Sequence, residues 1–370
     1  MRAFSWIMIL SIAILAAIFG GELTAAEPSP QRLFKSGEAY PRYRIPSLIL
    51  APDGSLLAVC EGRKNGGGLT GNIDIVARRS LDHGKTWQPL EVLLDHGAET
   101  LGNPCMLIDR TNKRLWMAFT RSPGEYTEAQ IVKGESPEST RVFVASSDDN
   151  GRTWKTPNDI TKFVKKSTWN GYGTGPGTGI QLKNGRLLIP AYHVESADQT
   201  YRSHSIYSDD HGKSWKLGAT VGDNTSEAHI VERTDGSLVM DTRTVVGREK
   251  RTWATSTDGG ETWSDPMFNE SLFDPHCEAC MIRVPRKISG KTQWLFSNPV
   301  GPKRHNLTIH HSEDEGRTWK TGLLIQEGDS QYSSLAVLPN GRIGCLYDRW
   351  TEGNYHLFYT DVDLSDIIGK

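Results

Sequence analysis

The sequence predicts an all-β fold, a six-bladed β-propeller, on three observations. An eight-residue motif occurs five times, six turns are each followed by an apolar run, and the chain is rich in glycine (37 residues) and tryptophan (11 residues). Many short strands joined by tight turns produce such a composition, because the turns need glycine and the layers between sheets accept large aromatic side chains. We therefore expect strands to dominate and helices to be scarce.

The repeated motif reads Ser-x-Asp-x-Gly-x-Thr/Ser-Trp. Its copies occupy residues 80–87, 147–154, 208–215, 256–263 and 312–319, so that successive tryptophans stand 67, 61, 48 and 56 residues apart. This is the irregular period of a repeat whose insertions lie in loops. In each copy the Asp can accept hydrogen bonds from its own turn and the Gly supplies a positive φ. A catalytic residue is rarely copied five times, so we interpret these aspartates as structural: Asp82, Asp149, Asp210, Asp258 and Asp314.

A second repeat supports the first. Turns that carry Gly or Asn precede six apolar runs, at Asp53-Gly54, Asn112-Lys113, Asn184-Gly185, Asp235-Gly236, Ser289-Gly290 and Asn340-Gly341. We interpret them as hairpin turns followed by buried strands, which gives six blades of about four strands each. The sixth blade lacks the motif because its last strand comes from residues 31–34, beside a C-terminal strand at residues 355–362. Such closure removes the exposed edges of the sheet.

The N-terminal segment resembles a secretory signal peptide. Arg2 is followed by an apolar run over residues 7–19 and by the small-residue pattern Thr24-Ala25-Ala26. The alternative is a membrane anchor, but the run is shorter than the ~20 apolar residues that a membrane span needs. We therefore predict a signal peptide at residues 1–26 and a single propeller over residues 27–370. The mature protein would be secreted, periplasmic or extracellular, with no stable membrane span.

Charge and cysteine content exclude several classes of function. With 42 basic and 44 acidic residues the net charge is −2, which gives no electrostatic footprint for nucleic acid. Cys277-Glu-Ala-Cys280 could be half of a metal site, but no second Cys-x-x-Cys exists, and a close pair or two buried thiols fits better. With Cys60, Cys105 and Cys345 the cysteine count is odd, so at least one thiol is free or pairs outside the chain. No metal and no cofactor are predicted.

Residues that do not repeat are the candidates for chemistry. Arg44 directly precedes Ile-Pro in an otherwise apolar strand, although a surface arginine on an edge strand is the alternative interpretation. Arg243 ends a second apolar strand, sixteen residues after Glu227. Arg304 precedes the strand at residues 306–310, and Tyr332 opens the strand before the last hairpin. The longest segments without strand character, residues 121–139 and 170–179, are expected to be loops on the faces where ligands bind.

With these residues the chain resembles the bacterial and animal exo-acting sialidases over essentially its whole mature length. The repeated motif is the Asp box of that family, and Tyr43-Arg44-Ile45-Pro46, the Glu227 and Arg243 pair, Arg304 and Tyr332 match its site. The resemblance implies a retaining glycoside hydrolase that releases terminal sialic acid through a tyrosyl-enzyme intermediate, with sialylated or other acidic glycans as partners. It also implies that Arg44, Arg243 and Arg304 bind the substrate carboxylate, that Tyr332 is the nucleophile, and that Glu227 is its base.

One part of the family pattern is missing. The family places an acid/base Asp in the loop after the first hairpin, and that position falls here on Gly68 or Leu69, neither of which transfers a proton. Asp74 is nearby, but it lies inside a predicted strand, where a structural role is favoured. Two alternatives to a sialidase therefore stay open: a related propeller hydrolase or lyase acting on another acidic sugar, and a non-catalytic propeller that binds sialoglycans. The presence of both Tyr332 and Glu227 argues against the last, because binding a carboxylate needs neither.

Overall fold

The computed structural model describes residues 29–65 and 68–369. The predicted signal peptide at residues 1–26 lies outside these residues. The strands up to residue 150 are β1 (Gln31–Phe34), β2 (Arg42–Leu50), β3 (Leu56–Arg63), β4 (Ile73–Ser80), β5 (Glu91–Leu94), β6 (Thr100–Asp109), β7 (Arg114–Ser122) and β8 (Arg141–Ser147).

The strands of the middle of the chain are β9 (Asn158–Asp159), β10 (Trp169–Thr174), β11 (Gly177–Thr178), β12 (Ile180–Gln181), β13 (Leu187–Glu195), β14 (Tyr201–Ser208), β15 (Lys216–Asp223), β16 (Thr225–Glu232), β17 (Leu238–Thr244), β18 (Lys250–Ser256) and β19 (Met267–Phe273). The last strands are β20 (Cys280–Ile288), β21 (Lys291–Gly301), β22 (His305–Ser312), β23 (Lys320–Asp329), β24 (Ser333–Val337), β25 (Ile343–Thr351) and β26 (Asn354–Val362). The helices are short: α1 (Glu128–Lys133), α2 (Thr161–Val164) and α3 (Leu364–Ile368).

The fold is all-β, with its sheets in a propeller arrangement. The sheets follow one another around a ring, in which β13 contacts β16, β16 contacts β20, β20 contacts β24, β24 contacts β2, and β2 contacts β6. The predicted closure of the ring is confirmed, because β1 pairs antiparallel with β26, with Gln31 opposite Tyr359. The two ends of the described chain thus complete one sheet.

The predicted count of six separate blades is not confirmed by the sheets. The described strands form five sheets, of which three have four strands, one has five and one has nine. The nine-stranded sheet contains the meanders β2 to β5 and β6 to β9, with β11 paired to β6. The two meanders are joined by one parallel residue pair, Ile73 of β4 with Thr100 of β6. This pair is the physical reason why two four-stranded units appear as one sheet.

The Asp-box turns are stabilised internally, as the sequence predicts. In the first copy, Asp82 accepts hydrogen bonds from the Thr86 amide at 2.8 Å and the Thr86 hydroxyl at 2.6 Å. Gly84 has a φ of 92°, and a Cβ there would meet the Tyr359 hydroxyl at 2.3 Å, so a larger residue would clash with the neighbouring sheet. Each box Asp makes the same bonds within its own turn, which accounts for its presence without a catalytic role.

The cores lie between neighbouring sheets. One such core combines Leu107 and Ala118 of one sheet with Leu187 and Ile189 of the next. Trp215 of the third Asp box is 3% exposed and packs edge-to-face on Trp116, with ring centroids 6.0 Å apart. The box tryptophan therefore fills the layer between sheets, where its large apolar surface contributes most to stability.

Several local predictions can be compared with the strands. All six predicted turns join antiparallel pairs, from β2 and β3 to β24 and β25. Residues 170–179 were predicted to form a loop, and this was wrong, because β10 and β11 occupy most of that segment. Residues 121–139 do connect two strands, and they carry the helix α1. All five cysteines are buried and free. No helix among the described residues is long and apolar enough to cross a membrane.

Candidate active site

The predicted nucleophile and base are in direct contact. The Tyr332 hydroxyl donates a hydrogen bond to Glu227 Oε1 at 2.5 Å, although 105 residues separate the two in the sequence. Arg243 Nη1 donates to Glu227 Oε2 at 2.6 Å and to the Tyr332 oxygen at 3.1 Å. Tyr332 and Glu227 are 6% and 5% exposed. The three groups therefore form one compact polar cluster that is largely shielded from water.

The position of these residues follows from the ring of sheets. Arg44 and Glu227 lie near the starts of β2 and β16, and Tyr332 directly precedes β24. The starting ends of these strands meet, because Tyr332 bonds to Glu227 and the Arg44 guanidinium lies over the Tyr332 ring. The pairing of β16 with β17 is irregular between Thr225 and Ala228, and that of β2 with β3 between Arg44 and Ser47. Bulges of this kind turn a side chain out of its regular direction, here toward the common centre.

The other two arginines flank the Tyr332 ring. The Arg44 guanidinium carbon lies 5.3 Å from the ring centroid, and that of Arg304 lies 5.9 Å from it. Arg304 is held by Gln331, to which its Nη1 donates at 3.0 Å, and by the His276 carbonyl. The structure thus brings Arg44, Arg243 and Arg304 to one phenol from three different sheets. Three converging guanidiniums can bind a carboxylate by charge-assisted, bidentate hydrogen bonds.

The electrostatics of the cluster keep Tyr332 neutral. Burial, and then the negative charge of Glu227, raise the pKa of Tyr332 well above its ordinary value. Burial works against the charge of Arg243, but Glu227 outweighs it and raises the pKa of Arg243. Tyr332 is therefore a phenol near neutral pH, and Glu227 is placed to accept its proton.

Asp348, which the sequence analysis missed, connects two of the site residues. It is fully buried in β25, accepts from the Tyr332 amide at 2.8 Å, and accepts from Arg44 Nε. Burial works against the charge of Arg44, but Asp348 outweighs it and raises the pKa of Arg44. A single carboxylate therefore positions both the proposed nucleophile and an arginine. The only sequence signal was an acidic residue at the end of an apolar strand.

A second buried pair lies behind Tyr332. Glu278 Oε2 accepts from the Ser333 amide at 3.0 Å, and its other oxygen lies 3.1 Å from His229 Nε2. Burial raises the pKa of Glu278 well above its usual range. Burial also lowers the pKa of His229 to about 4. Burial therefore favours the uncharged form of both groups, and Glu278 supports the backbone next to Tyr332 through the Ser333 amide.

The loop that should carry the family's acid faces a cavity but contributes no carboxyl group. Leu69 is 62% exposed and lines a cavity with Glu61, Arg63, Asn103, Glu128 and Tyr192 among its other lining residues. Asp74, the alternative candidate, is 1% exposed. Its carboxylate accepts from the Tyr40 hydroxyl at 2.5 Å and pairs with Lys64 at 2.8 Å. Asp74 is therefore engaged in a structural contact and is not placed to reach a substrate.

Residues suited to hold a metal are not grouped in this structure. Over residues 29–65 and 68–369, no three His, Cys, Asp or Glu side chains are close enough together to hold an ion. Cys277 and Cys280, considered above as half of a metal site, are buried, free thiols.

Comparison with known proteins identifies relatives for most of the chain. Residues 54–345 match the model of the BNR repeat-like domain. The sialidase of Micromonospora viridifaciens is 32% identical over 96% of this chain and 59% of its own length. The sialidase of Bacteroides fragilis is 32% identical over 88% of this chain and 63% of its own length. The chain thus spans about three fifths of each of these two curated relatives.

Solved structures give the same picture. The Hadza microbial sialidase Hz136 superposes with a TM-score of 0.83 at 31% identity, over 91% of this chain and 69% of that one. The leech intramolecular trans-sialidase superposes with a TM-score of 0.78 over 94% of this chain and 72% of that one, but at 21% identity it supports the fold alone.

Proposed function

Because the chain belongs to the sialidase family of glycoside hydrolases, we propose that it is an exo-sialidase that releases terminal sialic acid with retention of configuration. The observation that carries this proposal is the 2.5 Å hydrogen bond from Tyr332 to Glu227 beside three arginines. The substrates would be sialylated glycans, since the two curated bacterial relatives are sialidases.

Substrate binding would rest on the arginines. Sialic acid carries a carboxylate on its anomeric carbon, C2, and Arg44, Arg243 and Arg304 surround the place where that carbon must approach Tyr332. Guanidinium groups pair with a carboxylate through two parallel hydrogen bonds, which a lysine ammonium group cannot do. The arginines would therefore orient C2 over the Tyr332 oxygen.

A phenol suits this substrate better than a carboxylate nucleophile. An ionised Asp or Glu would be repelled by the carboxylate next to C2, whereas a neutral tyrosine would not. Most glycoside hydrolases use a pair of carboxyl groups, and sialidases with a Tyr nucleophile are an exception. In the first step Tyr332 Oη would bond to C2 as the bond from C2 to the glycosidic oxygen breaks, and the Tyr332 proton would pass to Glu227. Attack by water on the tyrosyl-enzyme would then release sialic acid with its original anomeric configuration.

We also propose that the fold has six blades. The meanders β2 to β5 and β6 to β9 each have four strands and are joined by one residue pair, Ile73 with Thr100. If the two meanders are counted as separate blades, they and the other four sheets make six blades. An experimental structure that places these two meanders as separate units around the axis would support this count, and one in which they form a continuous flat sheet would contradict it.

Secretion is part of the same proposal. Residues 1–26 would act as a signal peptide, and residues 27–370 would form one mature domain. N-terminal sequencing of the protein recovered from the periplasm or culture medium tests this. A new terminus near residue 27 would support the proposal, and an intact terminus on a cell-associated protein would contradict it.

The experiment that tests the activity compares two substrates on two proteins. Wild type and Tyr332→Phe are incubated with an aryl sialoside and with 3′-sialyllactose, and the released sialic acid is followed by proton NMR. We expect wild type to release the α-anomer of sialic acid first. We expect Tyr332→Phe to release no sialic acid from either substrate at a measurable rate. Tyr207→Phe, a ring beside Arg186 in another sheet, is the matched control and should behave like wild type. No release by wild type, or β-anomer formed first, would contradict the proposal.

A further inference from the structure

Two carboxyl groups line the cavity that Leu69 faces, those of Glu61 and Glu128. Glu128 lies in the segment between β7 and β8, at the start of α1, and lines this cavity together with Leu69 and Tyr192. The cavity lies next to the cluster of Tyr332, Glu227 and Arg243, because β13, which carries Tyr192, contacts β16, which carries Glu227. In agreement with this placement, the charges of Glu227 and Glu128 raise the pKa of Tyr192, after the larger effect of burial. A leaving group bound beside C2 would extend toward such a cavity.

Neither of the other carboxyl groups near this loop is available for proton transfer. Glu61 accepts from Arg63 Nε at 2.9 Å and Nη2 at 2.6 Å, and also from the Asn103 amide at 3.0 Å. Asp74 is buried and bound to Tyr40 and Lys64. Both carboxylates are therefore occupied by fixed partners.

Glu128 differs from both. Its carboxyl group makes no hydrogen bond or ion pair with any residue of the described ranges, and it is half-buried. Its backbone is nevertheless fixed, since Thr127 and Gln130 form a capping box around it and the buried Ile131 and Val132 anchor α1. Asn170 of β10 donates to the Val132 carbonyl at 3.1 Å. The structure thus places an unpartnered carboxyl group, carried by a fixed stretch of backbone, at the wall of the cavity.

We propose that Glu128 is the general acid and base of the reaction, in place of the Asp that the family carries at the position of Gly68 or Leu69; this inference rests on the proposed sialidase function. In the first step its proton passes to the glycosidic oxygen as the bond from C2 to that oxygen breaks and the bond from Tyr332 Oη to C2 forms. In the second step the Glu128 carboxylate takes a proton from water, whose oxygen bonds to C2. The bond from C2 to Tyr332 breaks as the bond to the water oxygen forms, and Tyr332 recovers its proton from Glu227.

The electrostatic surroundings suit an acid. Burial, and then the negative charge of Glu227, raise the pKa of Glu128, while Arg243 and Arg63 oppose the shift. A raised pKa keeps a larger fraction of the carboxyl protonated near neutral pH, which a general acid requires. The ionisable groups that act on Glu128 or respond to its charge are Glu61, Arg63, Tyr192, Tyr201, Glu227 and Arg243. The rate of cleavage of substrates with poor leaving groups should therefore fall as pH rises through the pKa of Glu128.

The test compares Glu128→Gln with wild type on substrates of different leaving-group pKa. A nearly isosteric amide cannot donate a carboxyl proton, so we expect kcat/KM on 3′-sialyllactose to fall about 10²- to 10⁴-fold. On an aryl sialoside with a low-pKa phenol the loss should be under about ten-fold, because this group departs without a proton. The alkaline limb of the wild-type pH profile on sialyllactose should disappear. Glu125→Gln, an exposed glutamate on the same segment, is the matched control and should match wild type.

Binding and folding are measured alongside the kinetics. Calorimetric affinity for 2,3-unsaturated sialic acid and the melting temperature should be unchanged in Glu128→Gln, which separates loss of the acid from loss of the site. Equal losses on both substrates, or no loss on either, would overturn the role of Glu128 while leaving the proposed function intact. A wild-type protein that cleaves neither substrate would overturn the proposed function itself.

Discussion

Tyr332 donates a 2.5 Å hydrogen bond to Glu227 from a different sheet, and Arg243 Nη1 contacts both residues. The predicted nucleophile and its predicted base are thus already hydrogen-bonded to each other. Because Tyr332 is buried and stays protonated, its reactivity depends on the position of Glu227 rather than on solvent. The proposed role of Glu227, as acceptor of the Tyr332 proton, therefore differs from the proposed role of Glu128, as proton donor to the leaving group.

Replacement of the base should affect all substrates alike. In Glu227→Gln the Tyr332 proton has no acceptor, so kcat/KM should fall about 10²- to 10⁴-fold on both an aryl sialoside and sialyllactose. The measurement is steady-state kinetics on the two substrates. Glu232→Gln, at the far end of β16, is the control and should keep wild-type rates. A loss confined to sialyllactose would instead assign Glu227 the role of the acid.

Removal of Arg304 should abolish recognition of the substrate carboxylate. Truncation of one partner of a desolvated charge pair typically costs ~2 to 5 kcal/mol. We expect Arg304→Ala to weaken binding of 2,3-unsaturated sialic acid accordingly, as measured by calorimetry. Arg317→Ala, an exposed arginine of the fifth Asp box, should bind like wild type. Unchanged affinity in Arg304→Ala would remove the residue from the carboxylate site.

A carboxyl group placed at Leu69 should replace that of Glu128. Leu69 is 62% exposed and lines the same cavity, so Leu69→Asp in the Glu128→Gln background should restore activity on sialyllactose at least about ten-fold. Gly68 is the poorer position, because a Cβ there would meet the Thr70 carbonyl oxygen at 2.8 Å. The check is kcat/KM on sialyllactose, with Leu69→Asn as the uncharged control. Equal gains from Asp and Asn would show that proton transfer is not involved.

Stability should depend on the contact between an Asp-box glycine and the neighbouring sheet. Gly212 and Gly185 both have positive φ, but a Cβ on Gly212 would meet Trp116 at 2.1 Å, whereas nothing lies within 4 Å of one on Gly185. Overpacking typically costs ~1 to 3 kcal/mol beyond the backbone strain that both positions share. Gly212→Ala should therefore unfold at lower urea concentration than Gly185→Ala. Equal unfolding midpoints would mean that the packing of Trp116 is not constrained.

Much of the fold could be predicted from the sequence because the motifs that indicate it are local. An Asp box or a hairpin turn is contained within eight residues or fewer, so the turns and the pairing of β1 with β26 followed from motif positions. Residues 170–179 were misassigned because short strands rich in glycine carry no apolar periodicity. The count of separate sheets depended on one residue pair, Ile73 with Thr100. No local sequence pattern predicts this pair.

The site was predictable only in part, for a related reason. Arg44 stood out because a charged residue interrupts an apolar strand, and the other roles came from the family resemblance. Asp348 and Glu278 were missed because each accepts a hydrogen bond from a backbone amide that is distant in sequence. These amides belong to Tyr332 and Ser333 respectively. Glu128 was missed because an acidic residue in a polar loop is unremarkable until the structure places it beside Leu69 at the cavity.

The most direct test of the account is to trap the covalent intermediate on Tyr332. Wild type is treated with a 2,3-difluorinated sialic acid, whose fluorine at C3 slows breakdown of the glycosyl-enzyme, and the digest is mapped by mass spectrometry. The account predicts one added fluorosialosyl group, on the peptide and residue of Tyr332, and no adduct in Tyr332→Phe. An adduct on Glu227, Glu128 or another residue, or inhibition of an active enzyme without any adduct, would contradict it.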